Sequence, residues 1–378
     1  MKKAFKYRIY PTKKQKTLLD QTLSICCELY NGALQERRDA YKLAGKSISY
    51  HDQAVQLPEI KSFREDLKTI HSQVLQDVLK RLDRSMDAFF RRVKQGDNPG
   101  YPRFRSRSRY DSFTFTQSGF EIKNGKLVLS KIGHIRVKLH RPIAGRVKTC
   151  TIRRSSTGKW YVCFSCEVEA FPLPESREAV GADAGLSALL TLSNGEKIEA
   201  PRFFTEEEKE LAKAQRQLSK APKGSKERKK AKKRVARVHE RISNKRSNYA
   251  HQLSHALVIC YGMIFFEDLR IRNMVRNHHL AKSIQDAAWN QIINYTTYKA
   301  ECAGRYVGMV EPRNTSQNCS GCGRLVEKTL SERVHRCPHE DCGLVLDRDH
   351  NAAQNILRLG LQSVGIQPIE APASSVFC

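Results

Sequence analysis

The hydrophobic pattern near the start of the chain changes from a strand period to a helical period. Apolar and polar residues alternate over 4–10, which predicts a short strand. Thr12, with Gln15 three positions later, is the signature of a capping box at a helix start. Apolar side chains then recur at helical spacing and predict a helical module near residues 12–95. They are Leu19, Leu23, Cys26, Tyr30 and Leu34 in a first helix and Leu75, Leu79, Leu82, Met86, Phe89 and Val93 in a second.

The next segment follows the period of two that is typical of β-structure. Gly and Pro interrupt the helical pattern around residues 96–102. Alternating strands follow, with hairpin-turn signals at Asn124-Gly125 and Thr157-Gly158. We interpret this segment as an antiparallel sheet forming a small barrel, which the strand at 4–10 joins.

The remainder of the chain alternates strands with helices. Residues 179–200 predict three short strands, and 205–257 predict a long charged helical region. The apolar run ALVICYGMIFFEDL (256–269) predicts one buried strand, and GRYVGMVEP (304–312) predicts another. DRDHNAAQNILRLGL (347–361) predicts a closing helix.

The excess of basic over acidic residues indicates what kind of molecule the protein binds. The chain has 378 residues, and 67 Lys and Arg against 39 Asp and Glu give a formal net charge of +28. A polyanion is the expected partner, because basic side chains gain affinity by releasing counterions from phosphates. The basic N-terminus has no apolar signal region, and no run reaches the ~18–20 apolar residues of a membrane span. We therefore expect a cytoplasmic, nucleoid-associated protein with no membrane partner.

Two basic segments are candidates for nucleic-acid contact. Residues 223–246 hold twelve Lys or Arg and two acids, Glu227 and Glu240. A solvated helical face is the competing interpretation, since charge runs are usually that. The nucleic-acid-binding candidates are Arg103, Arg105, Arg107, Lys229, Lys230, Lys233 and Arg234.

Four cysteines have the spacing of a metal site. Cys319 and Cys322 form one pair, Cys337 and Cys342 form another, and fourteen residues separate the pairs. A glycine follows each pair, which suits a tetrahedral, closed and therefore structural Zn²⁺ site. The second pair has four intervening residues where two are commoner, so His339 could replace or compete with a cysteine.

Three acids occupy the contexts that a two-metal phosphodiester hydrolase needs. Asp183 lies in an apolar strand, Glu267 ends another, and Asp347 or Asp349 lies where a strand meets a helix. A buried acid is costly unless it is paired or metal-bound, and Mg²⁺ prefers hard oxygen ligands. Salt-bridged or helix-capping acids are the alternative for each residue alone. Arg348 and Asn351 are candidates for supporting metal waters or phosphate.

The order of these acids resembles that of an RNase H-like nuclease, with Asp on the first strand, Glu on a later central strand and Asp at a helix. Four motifs, with the segment 82–115, resemble the transposon-encoded TnpB (OrfB) family of RNA-guided DNA nucleases, which are similar to type V CRISPR effectors. The motifs are GADAGLSALLTLSNG, FFEDL, NTSQNCSGCG and DRDHNAAQNIL.

The resemblance implies the roles of these residues. Asp183, Glu267 and Asp349 would be the catalytic triad of a RuvC-like domain with two Mg²⁺ ions, and the four cysteines would hold one Zn²⁺. The choice of Asp349 over Asp347 rests on the family pattern. The partners would be a guide RNA from the transposon end and double-stranded target DNA beside a short flanking motif.

The resemblance also implies a multidomain α/β fold, in which a RuvC-like nuclease domain with an inserted zinc ribbon accompanies an N-terminal β-barrel interrupted by a helical lobe. The expected domains are a β-barrel (1–11 and 102–177), a helical recognition lobe (12–101), the nuclease domain (178–315 and 343–363), a zinc-binding insertion (316–342) and a flexible tail (364–378).

Two other functions remain open at this stage. A transposase could act directly on transposon DNA ends, and a nuclease-inactive relative could repress by RNA-guided DNA binding. Ala182, Ala184 and Ser187 depart from the family pattern around Asp183, but no catalytic ligand is missing. An active Mg²⁺-dependent DNA endonuclease is therefore the expectation.

Overall fold

The computed structural model describes residues 1–269, 271–274, 276, 281–329 and 331–366. The chain divides into two compact units, Met1–Glu169 and Ala170–Cys378. The segment expected to be a flexible tail lies outside the described residues from position 367 onward. None of the helices in the described part of the chain has the length and apolar composition that a membrane crossing requires.

The first unit contains a β-sheet and a group of helices. Its strands are β1 (Lys2–Tyr10), β2 (Ser112–Phe115), β3 (Phe120–Lys123), β4 (Lys126–Leu129), β5 (Gly133–Lys138), β6 (Arg146–Arg154) and β7 (Trp160–Glu167). Its helices are α1 (Lys13–Ala44), α2 (Tyr50–Val55), α3 (Leu57–Phe63) and α4 (Ser72–Lys94), with a 3₁₀ turn at Glu65–Thr69.

The predicted capping box and helical stripes are present in α1 and α4. The backbone N–H of Gln15 donates to the Thr12 hydroxyl at 3.3 Å, and the Gln15 side chain accepts from the Thr12 N–H at 3.0 Å. All five predicted apolar positions of α1 are buried. On α4 the burial ends after Leu82, and Val93 is 50% exposed. The apolar stripe of α4 is therefore longer than its packed face.

The sheet of the first unit is antiparallel and nearly closed. Its strand order is β2-β6-β7-β1-β5-β4-β3. Asn124 and Gly125 both have positive φ, 50° and 67°, which is the backbone of a type I′ hairpin turn. The Phe120 ring on edge strand β3 lies 6.4 Å from Phe115 on the opposite edge strand and 6.4 Å from Phe164 on β7. The two edges of the sheet thus share one core.

The second unit contains a mixed sheet, a hairpin of strands and six helices within its described residues. The strands are β8 (Ala179–Asp183), β9 (Ala188–Leu192), β10 (Lys197–Glu199), β11 (Met263–Glu267), β12 (Tyr306–Val310), β13 (Val334–Arg336) and β14 (Val345–Asp347). The helices are α5 (Phe203–Lys220), α6 (Lys226–Cys260), α7 (Ile271–Met274), α8 (Ala281–Ala287), α9 (Trp289–Ala303) and α10 (Arg348–Ser363).

The mixed sheet has the order β10-β9-β8-β11-β12. Strands β8, β9 and β10 form an antiparallel meander, whereas β11 lies parallel to both β8 and β12. Helix α10 packs against β8 so closely that a Cβ on Gly181 would lie 2.2 Å from the Ala353 carbonyl oxygen. This contact fixes the helix beside the end of β8.

The prediction of one strand over the apolar run 256–269 is wrong in its first part. Helix α6 continues to Cys260, and the strand covers Met263–Glu267. Leu253 and Leu257 are buried at helical spacing on α6. From Ala256 to Cys260 every residue of α6 is apolar, so the sequence shows no polar face that would reveal the helical period there. Helices α8 and α9 were not predicted from the sequence.

Candidate functional site

Two of the three candidate carboxylates lie at the carboxyl ends of two adjacent inner strands of the mixed sheet. Strands β8 and β11 are parallel and pair up to Ala182 and Phe266. The next residues are Asp183 on β8 and Glu267 on β11, so the register places these two acids side by side. Asp349 lies in the first turn of α10, the helix that packs on β8. Three distant segments thus converge on one place.

The electrostatics of the site agree with this convergence. Burial, followed by the nearby charges of Glu267 and Asp349, raises the pKa of Asp183 well above its usual value. Burial also raises the pKa of Glu267, which is 7% exposed. Folding therefore buries Asp183 beside two other acids, which disfavour its charged form. A bound cation would reverse this penalty.

Glu267 and Asp349 are held by different contacts. The hydroxyl of Thr315 donates a hydrogen bond to Glu267 Oε1. Asp349 accepts from the Ser187 hydroxyl at 3.3 Å and lies 3.4 Å from the Arg348 guanidinium. Thr315 lies within the motif NTSQNCSGCG, but a polar residue in a loop carries no periodic signal that would identify it from the sequence.

Asp347 and Asp349 have different surroundings. Asp347 is the N-cap of α10, and its carboxylate accepts from the backbone N–H groups of Asp349 and His350 at 3.0 and 3.1 Å. It also lies 2.7 Å from the Lys197 ammonium. Burial acts to raise the pKa of Asp347, but Lys197 and these N–H groups outweigh it and lower the pKa. Asp347 thus has a structural task that Asp349 lacks.

The four predicted cysteines come together in a compact cluster. Their Sγ atoms all lie within 4.8 Å of one another. Gly321 leaves room for this cluster, since a Cβ there would lie 3.1 Å from Cys342 Sγ. The backbone N–H of Arg324 holds the pKa of the Cys322 thiol below its usual value. These donors form a possible metal site, and His339 is not part of the set.

The carboxylates are spread more widely than the thiols. Within the described ranges, the cysteines are the one group of three or more potential metal ligands whose donor atoms all lie within 4.8 Å of one another. The cysteine cluster therefore has the dimensions of a single coordination sphere, and the carboxylate cluster is larger.

Asn351 does not support the carboxylates as predicted. It is fully buried, its Oδ1 accepts from the Ser320 backbone N–H at 2.9 Å, and its Nδ2 donates to the Asn318 carbonyl at 2.8 Å. Two residues after Asp349, the side chain lies on another face of α10, as helical geometry requires. Asn351 thus anchors the segment that carries Cys319.

The basic run on α6 divides into two parts. Arg241, Lys245 and Arg246 form ion pairs with acids of α5 and with Asp286. These cations hold the second unit together. The candidates nearer the start of α6 are exposed, and one of them, Arg234, donates to Gln217 at 3.1 Å. They are Lys229, Lys230, Lys233 and Arg234.

The arginines of the loop before β2 are exposed on the first unit. Arg103, Arg105 and Arg107 all have exposed side chains. Asn31 holds the backbone of Arg105 through two hydrogen bonds of 2.8 Å, and Arg107 lies 2.7 Å from Glu28. The loop is therefore fixed on α1, while its three arginine side chains remain exposed to solvent.

Three family models match successive parts of the chain. The OrfB_IS605 model, described as "Probable transposase", matches residues 163–278. The model "Cas12f1-like, TNB domain" matches 289–356, a range that includes all four cysteines. The model "Helix-turn-helix domain" matches 1–46, where the structure has strand β1 and the single helix α1.

Two similar proteins cover nearly the whole chain. A Streptomyces pristinaespiralis protein named "Putative RNA-guided DNA endonuclease" is 38% identical over 97% of this chain and 92% of its own length. "Putative RNA-guided DNA endonuclease InsQ" of Escherichia coli strain K12 is 33% identical over 94% of this chain and 92% of its own length.

A solved structure has a similar fold. The chain described as Cas12f1 in a complex with sgRNA and target DNA matches with a TM-score of 0.59 at 14% identity, over 94% of this chain and 98% of that chain. This likeness shows the fold, and the identity and extent of the two sequence matches show the family. The protein belongs to the TnpB (OrfB) family.

Proposed function

We propose that this protein is a transposon-associated, RNA-guided DNA endonuclease. Asp183, Glu267 and Asp349 would hold two Mg²⁺ ions at the phosphodiester bond that is cut. The observation that carries the proposal is the convergence of these three acids from two parallel strands and a helix. The relatives named as RNA-guided DNA endonucleases supply the reaction class.

The carboxylate cluster fits hard divalent cations. Its donors are oxygens, and the burial that raises the pKa values of Asp183 and Glu267 is a penalty that a bound cation would offset. Three carboxylates would be shared between two such ions, about 3.5–4 Å apart. When bound, such ions activate the attacking water and stabilise the leaving oxygen.

The chain's own residues set the geometry of this reaction. The charges of Glu267 and Asp349 both act on Asp183, so Asp183 lies near both of the other acids and would be a metal ligand beside each of them. Glu267 is oriented by the Thr315 hydroxyl, and Asp349 by Ser187 and Arg348. The meander followed by two parallel strands is the order expected for an RNase H-like domain. We therefore assign 178–315 and 343–363 to a RuvC-like domain.

The cysteine cluster has a different task in this proposal. Four thiolates leave no open position on a tetrahedral ion, so a Zn²⁺ there is structural. We assign residues 316–342 to a zinc-binding insertion. The small sheet of β13 and β14 connects it to the start of α10.

The nucleic-acid partners follow from charge and exposure. A net charge of +28 and exposed basic residues on both units suit binding to phosphates. We propose that the first unit supplies the barrel and the helical lobe that hold a guide RNA and its heteroduplex with target DNA. Lys229, Lys230, Lys233 and Arg234 would contact the phosphate backbone.

The proposal is tested on protein purified together with its bound RNA. Sequencing that RNA identifies a guide, and a plasmid that carries the matching target is then offered with Mg²⁺. The account expects Mg²⁺-dependent cleavage by the native chain and none by Asp183→Ala. Undiminished cleavage by Asp183→Ala would show that this triad is wrong. Binding without cleavage by the native chain would favour an inactive repressor, and activity on transposon ends without RNA would favour a transposase.

A further inference from the structure

Thr315 has an unusual position between the two candidate metal centres. It is 2% exposed, and its hydroxyl donates to Glu267 Oε1. The other acceptor within reach is the Pro312 carbonyl, at 3.2 Å. A hydroxyl has a single proton, and the carboxylate is both the nearer and the charged acceptor. Because Thr is β-branched, its side chain has few alternative rotamers once the backbone is fixed.

The backbone of Thr315 lies in a turn rather than in a strand or a helix. It follows β12, and Asn314 directly before it adopts a left-handed φ of 61°. Asn355 of α10 provides hydrogen bonds to this backbone that a sheet or helix would otherwise provide. Its buried Nδ2 donates to the Thr315 carbonyl at 2.9 Å and to the Asn318 carbonyl at 2.7 Å.

Asn351 extends this support to the cysteine cluster. Its amide bonds to the carbonyl of Asn318 and the N–H of Ser320, the two residues that flank Cys319. Asn351 and Asn355 are four positions apart and therefore lie on one face of α10. Asp349, in the first turn of the same helix, faces the carboxylates instead. Helix α10 thus touches both centres.

We propose that Thr315 is a positioning residue for Glu267, and that Asn351 and Asn355 keep the segment from Thr315 to Cys319 in the place this requires. The arrangement links the cysteine centre to the carboxylate centre through buried hydrogen bonds. The inference rests on the proposed function, because it concerns how a proposed catalytic carboxylate is oriented.

The direct test is a pair of substitutions at one position. Thr315→Val keeps the shape and removes the hydroxyl, whereas Thr315→Ser keeps the hydroxyl. Losing a hydrogen bond to a charged group lowers a rate by about 10- to 100-fold, so this is the expected loss of cleavage for Thr315→Val. Thr315→Ser is expected to restore most of the rate.

A matched control separates positioning from stability. Thr296 of α9 is also fully buried, and its hydroxyl donates to the Ile292 carbonyl of its own helix at 2.9 Å. Thr296→Val removes a buried hydroxyl of the same kind away from any candidate carboxylate. It is expected to change the melting temperature about as much as Thr315→Val and to leave the cleavage rate near that of the native chain.

A second readout does not depend on cleavage. Mn²⁺, used as a paramagnetic probe, is titrated into the protein–RNA complex and followed by electron paramagnetic resonance. Thr315→Val and Asn355→Leu are expected to weaken Mn²⁺ binding and to raise the Mg²⁺ concentration for half-maximal cleavage. Metal bound by the cysteines and the affinity for target DNA are expected to stay unchanged in Thr315→Val.

The outcomes distinguish this inference from the function it rests on. If Asp183→Ala is inactive but Thr315→Val cleaves and binds Mn²⁺ like the native chain, Thr315 has no positioning role. Equal losses in Thr315→Val and Thr315→Ser would also overturn the inference, because the hydroxyl would then be irrelevant. If Asp183→Ala cleaves normally, the proposed function itself fails.

Discussion

The carboxylate centre and the cysteine centre lie in the same unit but are built over different distances along the chain. The four thiols come from a span between Cys319 and Cys342, whereas the three acids come from Asp183, Glu267 and Asp349. The thiols fit one closed coordination sphere, and the acids form a wider cluster. The cysteine centre can therefore form when its own segment folds. The carboxylate centre requires the sheet and α10 to be in place first.

The two centres also differ in the chemistry that their donor atoms allow. Soft thiolate donors that fill every position of a tetrahedral ion stabilise structure. Hard oxygen donors in a wider cluster leave positions for a phosphate and a water. A change that breaks the cysteine centre should therefore act through folding, and a change at the carboxylates should act on catalysis alone.

Removing two thiolates has the largest expected effect. Cys337→Ser combined with Cys342→Ser is expected to lower bound zinc from one ion per chain to none and to lower the melting temperature. Zinc contributes about 10–16 kcal/mol to folding in small zinc peptides, so residues 316–342 should lose their fold. Elemental analysis and thermal unfolding measure both effects.

The control for this variant is Cys302→Ser on α9, outside the cluster. It should keep its zinc and its melting temperature. Retention of zinc by the double variant would contradict the assignment of these four ligands.

Displacing α10 is expected to damage the carboxylate centre and to leave the cysteines able to bind metal, because Asn351 keeps the segment of Cys319 attached to the helix as it moves. Gly181→Ala places a Cβ 2.2 Å from the Ala353 carbonyl, so the helix must shift away from β8. A misplacement of about 1 Å costs roughly 100-fold in rate, and we expect a cleavage loss of about 10- to 100-fold with full zinc content.

Gly32→Ala on α1 is the matched control for this substitution. Apart from the neighbouring residues and backbone of its own helix, no atom lies within 4 Å of the added Cβ, and alanine stabilises a helix interior relative to glycine. Cleavage should be unchanged in Gly32→Ala. Equal rates in the two variants would argue against close packing of α10 as a requirement for the carboxylate centre.

Lys197→Met should have the smallest effect. Lys197 lies 2.7 Å from Asp347, and both side chains are more than a third exposed. An exposed ion pair contributes about 0–1 kcal/mol, so cleavage should fall by less than about fivefold. The cleavage rate at saturating Mg²⁺ measures this effect. A much larger loss would indicate that Asp347 belongs among the catalytic ligands.

Local patterns predicted much of the fold. The capping box at Thr12, the Asn124-Gly125 turn and the spacing of the cysteines each depend on residues a few positions apart. The side-by-side placement of Asp183 and Glu267 depends on a parallel register, which the sequence does not display. It became predictable through the resemblance to a known family.

Other features could not be predicted from the sequence, and each has its own physical reason. Asp347 and Asp349 both lie where a strand meets a helix, and only the cap hydrogen bonds and Lys197 distinguish them. Thr315 lies in a loop without periodicity, so nothing in the sequence links it to Glu267. The apolar end of α6 resembled a strand because polar residues did not mark its solvent face.

The most direct measurement compares Asp349→Asn with Asp347→Asn in RNA-guided cleavage at saturating Mg²⁺. Asn is a good helix cap, so Asp347→Asn should cleave at nearly the native rate. Asp349→Asn should lose about 10³-fold or more, because it removes the charge of a proposed metal ligand. Native-like cleavage by Asp349→Asn, or an inactive Asp347→Asn, would contradict the assignment of the carboxylate centre.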